Sequence, residues 1–458
     1  MILALALPWI GGIALALLDG RRPAVAWTAV GILAAVLAAL ARLALVAPDS
    51  LVVTGGWPAG VGITLRTDAL GLAFAIVSVA SLLGALVYTT LTGIVERTLP
   101  ALVLLLAAGL VGCFVTGDIF NFYVFFEMSM AAGFVLAGYG RAEREVRAAL
   151  VFMVVNMLGS VLFLTGVAAL YHLTGTLEMR AMAERLATTP PPAALLPAVL
   201  LFVALSTKLG IFPFHFWLPP IYRDASPTVA AILSGALANI GSYGLLRFGS
   251  DLLPAQLAVG APALLVLGAI SILYGAHQAV SVRTASEALA YSTIGQAGYI
   301  MLGLGVGGPV GVGAAVLYAV VNPLNKTLLF LATGLRGPLV GAAFAIGAMS
   351  VAGVPPAIGF VGKLAILRVG LETGSPLLIG VILLGGALSF VYMFQIHQRA
   401  FWRAPASPPP ARGAAAVVLA LAVLVLALGV WPEPLVGVTG HVGQHVTTPA
   451  VAAGSVDP

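Results

Sequence analysis

Apolar runs of about 20 residues recur from one end of the sequence to the other, the length a helix needs to cross ~30 Å of hydrocarbon at 1.5 Å per residue. With 61% hydrophobic and only 8% charged residues, the chain is too apolar for a water-soluble domain. The runs predict helices near 2–18, 24–46, 68–90, 99–115, 119–139, 147–172 and 192–218. Seven more follow near 227–249, 256–276, 287–306, 310–335, 338–370, 375–398 and 413–431. The expected fold class is an all-α polytopic membrane protein of about 14 transmembrane helices. The first run, Ile2 to Leu18, lacks a preceding basic stretch and is followed by Arg21 and Arg22, so it reads as a retained helix and not a signal peptide.

Two spans carry helix breakers: Pro213, Pro219 and Pro220 in the seventh, and Gly353, Pro355, Pro356 and Gly359 in the twelfth. Proline removes a backbone donor and leaves carbonyls unpaired, which is tolerated at membrane depth only beside protein or a wet cavity. The two broken spans are five helices apart in the order of spans, so repeats carrying them face opposite ways. Two inverted repeats, each with a broken helix, are a transporter signature.

The formal charge of +5 does not mark a nucleic-acid binder, because the arginines are spread through short connections. Taken alternately, one side holds Arg21, Arg22, Arg97, Arg141, Arg144, Arg147, Arg223, Arg283, Arg336, Arg399, Arg403 and Arg412. The other has Arg42, Arg66, Arg180, Arg185, Arg247 and Arg368. The positive-inside rule then predicts an inner-membrane protein with the first set cytoplasmic and both termini on the outer, periplasmic side.

Lysine is sorted differently from arginine. The chain has three, Lys208, Lys326 and Lys363, all inside apolar spans. A desolvated ammonium can lose its proton whereas a guanidinium stays charged, so these positions suit groups that alternate between protonated and neutral forms. Among the acids, Glu127 alone lies well inside a span. A charge there costs roughly 2.5–3.5 kcal/mol on the mildest insertion scale, so it is expected to face water or a partner, with Lys208 the candidate. Proton relay is weighed against a static buried ion pair that only fixes helix packing.

Lys326 lies four residues after Asn322, on the same helical face, and divides between relay and structure. His215, seven residues after Lys208, shares its face if the helix continues, and divides between relay and a packed polar group.

His172, His277 and His397 lie at span ends, as interfacial anchors do. His441 and His445 share a face only if the tail is helical, and no metal site is expected there. Cys113, the only cysteine, sits in an apolar run and excludes disulfides and iron–sulfur ligation by this chain alone. Neither a phosphate-binding G-x-x-x-x-G-K-[ST] loop nor a Ser–His–Asp arrangement occurs. No cofactor is expected.

The stretch TGDIFNFYVFFEMSM resembles the glutamate-bearing helix of the antiporter-like subunits shared by respiratory complex I, membrane-bound hydrogenases and Mrp antiporters. STKLGIFPFHFWLPP with SPTVAAILSG resembles that superfamily's broken helix and central lysine. LAYSTIGQAGYIMLGLG, NKTLLFLATG and VPPAIGFVGKLAIL extend the likeness, which runs from about Gly55 to Arg368. Within the superfamily, GGWPAGVGITLRTDALG and LYHLTGTLEM look most like the multisubunit Mrp antiporter branch, as does lysine at Lys363.

The resemblance implies one transmembrane domain over 1–458: a core at about 55–370, peripheral helices at 1–46 and 375–431, and a polar C-terminal tail at 432–458. It implies that Glu127, Lys208 and Lys363 form a proton-transfer axis. Asn239 stands where the family usually has lysine, Asn322 where histidine is common, and Ser286 and Glu287 where lysine and arginine are frequent. An amide hydrogen-bonds water but carries no proton at neutral pH.

The expected function is therefore a proton-translocating subunit of a multisubunit Na+(K+)/H+ antiporter, a secondary transporter rather than an enzyme. Expected partners are other hydrophobic subunits, H+ with Na+ or K+, and the bilayer, without nucleic acid. Two alternatives stand beside it. One is a proton-pumping membrane subunit of an NADH–quinone oxidoreductase or hydrogenase. The other is a non-conducting scaffold subunit, as in an inorganic-carbon uptake system.

Overall fold

The chain's computed structural model describes residues 1–56, 62–140, 142–402 and 412–445. Arg141 and Arg403 of the arginine-rich set, and 446–458 of the tail, lie outside the described residues. Almost every element is helical, as an apolar backbone in hydrocarbon requires. Helices α1 (Ile2–Ala16) and α2 (Pro23–Val46) come first, then a short antiparallel pair, β1 (Leu51–Val53) with β2 (Thr64–Arg66). Next are α3 (Ala69–Thr92), α4 (Leu99–Val115), α5 (Ile119–Ala137) and α6 (Glu143–Thr174), then a short amphipathic α7 (Met179–Ala187).

The second half begins with α8 (Leu195–Leu209), α9 (Leu218–Asp224), α10 (Pro227–Ile232) and α11 (Asn239–Arg247). It continues through α12 (Pro254–Ser281), α13 (Ala285–Val306) and α14 (Gly308–Thr333) to α15 (Pro338–Ala352) and α16 (Ile358–Glu372). The last helices are α17 (Pro376–His397), α18 (Arg412–Val430) and α19 (Glu433–His445). Prolines sit in the first turns of α2, α9, α10, α12, α14, α15 and α17, where a missing N–H costs nothing.

Ten segments are long and apolar enough to cross a membrane: α2, α3, α5, α6, α8, α10 with α11, α12, α14, α17 and α18. Helices α1, α4, α13 and the α15–α16 pair lie at the other four positions where the sequence leads one to expect a span. Three small elements escape a reading based on apolar runs: the β1–β2 pair, α7, and α19, which turns the start of the polar tail into a helix.

Both expected breaks are present. Helix α8 stops at Leu209, and Gly210 turns with φ +73° before α9 resumes at Leu218. Helix α15 stops at Ala352, and Gly353 turns with φ +79° before α16 resumes at Ile358. Glycine is needed at both positions because a Cβ would crowd the left-handed turn. The most apolar stretches of α10–α11 and of α14 are completely enclosed by other helices, whereas those of α2, α12 and α18 are mostly open to the surroundings. The two enclosed spans hold Asn239, Asn322 and Lys326, so these residues lie in the middle of the molecule.

On the arginine-poor side an ion cluster ties the start of α3 to the end of α11. Asp68 caps α3 by accepting from the Gly71 N–H at 2.9 Å. The Arg247 guanidinium donates to both Asp68 oxygens at 2.6 and 2.7 Å, to Asp251 at 2.6 Å, and from Nε to the Tyr243 hydroxyl at 3.0 Å. Burial alone would push the Asp68 carboxyl up, but Arg247 outweighs it and holds the group below the usual carboxylate range. The resulting stabilisation is present above the unfolded pKa and is lost as pH falls through the lower folded value. Breaking the pair at Asp68 leaves this largely buried cation with Asp251 as its remaining counter-charge. Asp68→Asn should therefore cost about 1.5–3 kcal/mol, the scale of hydrogen bonds to a charged group, read as a lower thermal unfolding midpoint of purified protein at pH 7. The gap to wild type should close as both are acidified below about pH 4.

Candidate functional site

The FNFYVFFEMSM helix is positioned by its own first turn. Asp118 accepts from the Asn121 N–H at 2.7 Å and caps α5, while burial, and secondarily Glu178, push its carboxyl up. Nine residues on, about two and a half turns, Glu127 is half-buried. Its Oε1 is fully buried with no hydrogen-bond partner among the described residues.

Lys208 occupies the last turn of α8, beside the break, and is 5% exposed. The sequence points to Glu127 as its partner, but no ion pair between them forms within 4.0 Å among the described residues. The ammonium instead reaches α6, donating to the Asn156 carbonyl at 2.8 Å and the Ser160 hydroxyl at 3.0 Å. It also lies 4.8 Å from the centre of the Phe126 ring, next to Glu127 in sequence and within electrostatic reach of it. Asn156 and Ser160 are therefore missed members of the site. Their i, i+4 spacing in the apolar run FMVVNMLGSVLF is the signal that marks them.

His215 does not continue the face of Lys208, because α8 has ended and the chain has turned at Gly210. It packs against Phe212 and Tyr274, with ring centres 5.5 and 4.6 Å away, and its Nδ1 is buried without a partner.

Near the centre of the molecule an amide, Asn239, stands where family resemblance leads one to expect a lysine. A π-helical turn at Leu233–Leu237 precedes Asn239, whose Nδ2 donates to the Ser78 hydroxyl of α3 at 2.8 Å and to the Gly235 carbonyl at 3.1 Å. Gly235 leaves room for the Thr327 hydroxyl of α14 and joins this position to the next. Along α14, Tyr318, Asn322 and Lys326 are spaced i, i+4, i+8 and share a face. Pro323 cannot donate to the Ala319 carbonyl, which adds an open acceptor beside them. Lys326 is 7% exposed and makes no hydrogen bond or ion pair among the described residues, and the Oδ1 of neighbouring Asn325 is buried and unpartnered.

Lys363, 8% exposed, rises from α16 and donates at 3.2 Å to the carbonyl of Ala352, the last residue of α15. Its ammonium lies 5.1 Å from the centre of the Tyr299 ring, and that ring lies 5.1 Å from Tyr318 of α14. The Tyr318 hydroxyl donates to Gln296 Oε1, and Gln296 Nε2 donates to the Tyr392 hydroxyl at 3.3 Å. The Tyr392 hydroxyl in turn bonds Ser292 at 2.8 Å and Ser389 at 3.2 Å. Buried polar groups thus gather at three places: Lys208 with Asn156 and Ser160 of α6, Asn239 with Ser78 of α3, and Lys363 with the tyrosines and Gln296 of α13, α14 and α17. Sequence reading named the lysines and asparagines but not the tyrosines and Gln296.

A family model described as NADH:quinone oxidoreductase/Mrp antiporter, transmembrane, matches residues 116–389. The chain is 32% identical to a Staphylococcus saprophyticus protein whose name assigns it as antiporter subunit mnhD2, over 75% of this chain and 72% of that one. It is 34% identical to NADH-quinone oxidoreductase subunit N of Desulforudis audaxviator over 82% of each. Among solved structures, a chain of the Mrp complex from Dietzia sp. DQ12-45-1b superposes with a TM-score of 0.90, 26% identity and 98% coverage of both chains.

The Lys363 geometry depends on Gly353. A Cβ there would lie 2.5 Å from Lys363 Cδ, at a φ that L-residues avoid. Gly353→Ala should cost about 1–3 kcal/mol, measured by thermal unfolding of purified protein, while Gly380→Ala, with open space around it, should stay close to wild type.

Proposed function

Because this chain belongs to the NADH:quinone oxidoreductase/Mrp antiporter transmembrane family, we propose that it is the proton-conducting subunit of a multisubunit monovalent cation/proton antiporter. The observation that carries this reading is that all three lysines of the chain are buried, Lys208 and Lys363 at the two broken helices, and we read the buried polar groups around them as one band. Glu127, Lys208, Lys326 and Lys363 are the titratable stations, and Asn239 and Asn322 are neutral ones that hold water in register. A proton on Lys208 is retained while Asn156 and Ser160 hold the ammonium. It moves on when Glu127 shifts and the α8 break hydrates. Water links the band to Lys363, where the Ala352 carbonyl plays the corresponding part.

In this reading the core at about 55–370 conducts. The peripheral helices 1–46 and 375–431 meet lipid and the other hydrophobic subunits of a complex such as the Mrp assembly. The arginine-rich side faces the cytoplasm of a bacterial cell and the termini face outward. Na+ or K+ is the exchanged ion. His215 sits at the mouth of the first break and takes part in proton entry.

The 34% identity to an NADH-quinone oxidoreductase subunit favours a second reading, in which the same band pumps protons in a redox complex. Co-purified subunits separate the two: iron–sulfur proteins would support the redox complex, and small hydrophobic antiporter subunits the exchanger.

The test of the first reading is Lys208→Ala in everted vesicles carrying the whole assembly. Dissipation of a proton gradient on adding Na+ or K+ should fall at least about a hundredfold, the scale lost with an essential proton-transfer group. An assembled complex that still exchanges at the wild-type rate would refute it.

A further inference from the structure

Between Lys326 and Lys363 lies a cluster to which the transport reading gives no part. Tyr318 shares the α14 face with Asn322 and Lys326, one turn from the first and two from the second. Its ring packs on the Gly362 backbone, beside Lys363, and on Tyr299, over which the Lys363 ammonium sits. The phenol therefore stands beside Lys363 on the helix face that carries Lys326. Its hydroxyl is nevertheless turned aside, donating to Gln296 Oε1.

The Gln296 amide has its orientation fixed from behind. Its Nε2 is committed to the Tyr392 hydroxyl, which Ser292 and Ser389 hold in turn, so the carbonyl is what faces Tyr318. An amide carbonyl accepts a hydrogen bond but does not pass a proton on at neutral pH. A phenol O–H pinned to it is out of the path. Release needs only rotation about the phenol C–O bond, with no movement of α14.

We propose that Tyr318 and Gln296 form a latch that gates proton transfer between Lys326 and Lys363. This rests on the transport reading above and adds a positioning pair to it. With the latch made, the two lysines are disconnected. With it released, the Tyr318 oxygen accepts a proton from a water protonated by the Lys326 ammonium. Tyr318 gives its own proton through a second water to the neutral amine of Lys363, so one proton moves and no charge stays on the ring. Gln296 sets how often the hydroxyl is available and so limits proton leak in the absence of cation.

The experiment uses everted vesicles with the complete assembly and compares Tyr318→Phe, Gln296→Leu and Lys208→Ala, with complex abundance measured in each. Tyr318→Phe removes the transferable proton and should lower cation-induced exchange at least about tenfold per assembled complex. Gln296→Leu keeps the shape but frees the hydroxyl, and should raise cation-independent gradient decay by about tenfold. Wild-type exchange by Tyr318→Phe, with Lys208→Ala inactive, overturns the latch and leaves the transport reading standing. So does a Tyr318 effect without the Gln296 leak, or losses in both variants that only track reduced assembly. If Tyr318→Phe does not assemble, the presence or absence of the Gln296→Leu leak decides. Full exchange by Lys208→Ala removes the transport reading and the latch with it.

Discussion

An ammonium group inside an apolar protein needs oxygen around it, and two of the three buried lysines find it in neutral acceptors and none in a carboxylate. Lys208 takes a carbonyl and a hydroxyl of α6, and Lys363 takes the carbonyl at the end of α15. This choice of partner decides what the lysines can do. A buried Lys–Glu ion pair holds its charge because separating the ions leaves each unpaired. A carbonyl steadies an ammonium and also tolerates a neutral amine, so the proton is not trapped by its own counter-charge. Glu127 stays outside salt-bridge distance, which leaves the Lys208 ammonium to the neutral acceptors of α6.

The breaks in α8 and α15 place their lysines differently. Lys208 precedes its break by two residues while Lys363 follows its break by ten. The Lys363 ammonium comes to rest beside the C-terminal end of α15, where a free carbonyl and the negative end of the helix dipole lie. Lys208 stands in the last turn of α8, and its ammonium crosses to a carbonyl and a hydroxyl in the middle of α6. The glycines in left-handed turns, Gly210 and Gly353, make those ends possible, and Gly353 also leaves the space through which the Lys363 side chain passes.

Much of this was legible in residue type alone. Hydrophobic length located the helices, ten of them long and apolar enough to cross a membrane, prolines located both breaks, and the separation of lysine from arginine marked the buried amines. What stayed hidden depended on where a turn sends the chain. His215 shares a helical face with Lys208 only on paper, because Gly210 ends the helix between them. Glu127 and Lys208 are the natural charge pair of the sequence, yet α6 packs between the needs of the two and supplies Asn156 and Ser160 first. Those two were readable from their four-residue spacing. Gln296, Tyr318 and Tyr392 were not, because tyrosine and glutamine are ordinary in a buried helix, and only the meeting of α13, α14 and α17 turns them into a connected set.

The middle of the molecule carries the remaining consequence. The two spans most completely enclosed, α10–α11 and α14, hold Asn239 and Asn322 at positions where a titratable group would be the simplest carrier. Burial at that depth penalises every charge, and an amide avoids the penalty while still fixing the direction of the hydrogen bonds around it. Asn239 does so by binding Ser78 across to α3 and Gly235 within its own π-helical turn. In the proposed reading the amides orient without storing protons, and Lys326 is the amine that stands beside them in the enclosed spans. Proton passage between the lysines then runs through hydroxyl groups and water. Their hydrogen bonds reverse by rotation alone, so a small change in which acceptor a single hydroxyl faces can connect or isolate the lysines.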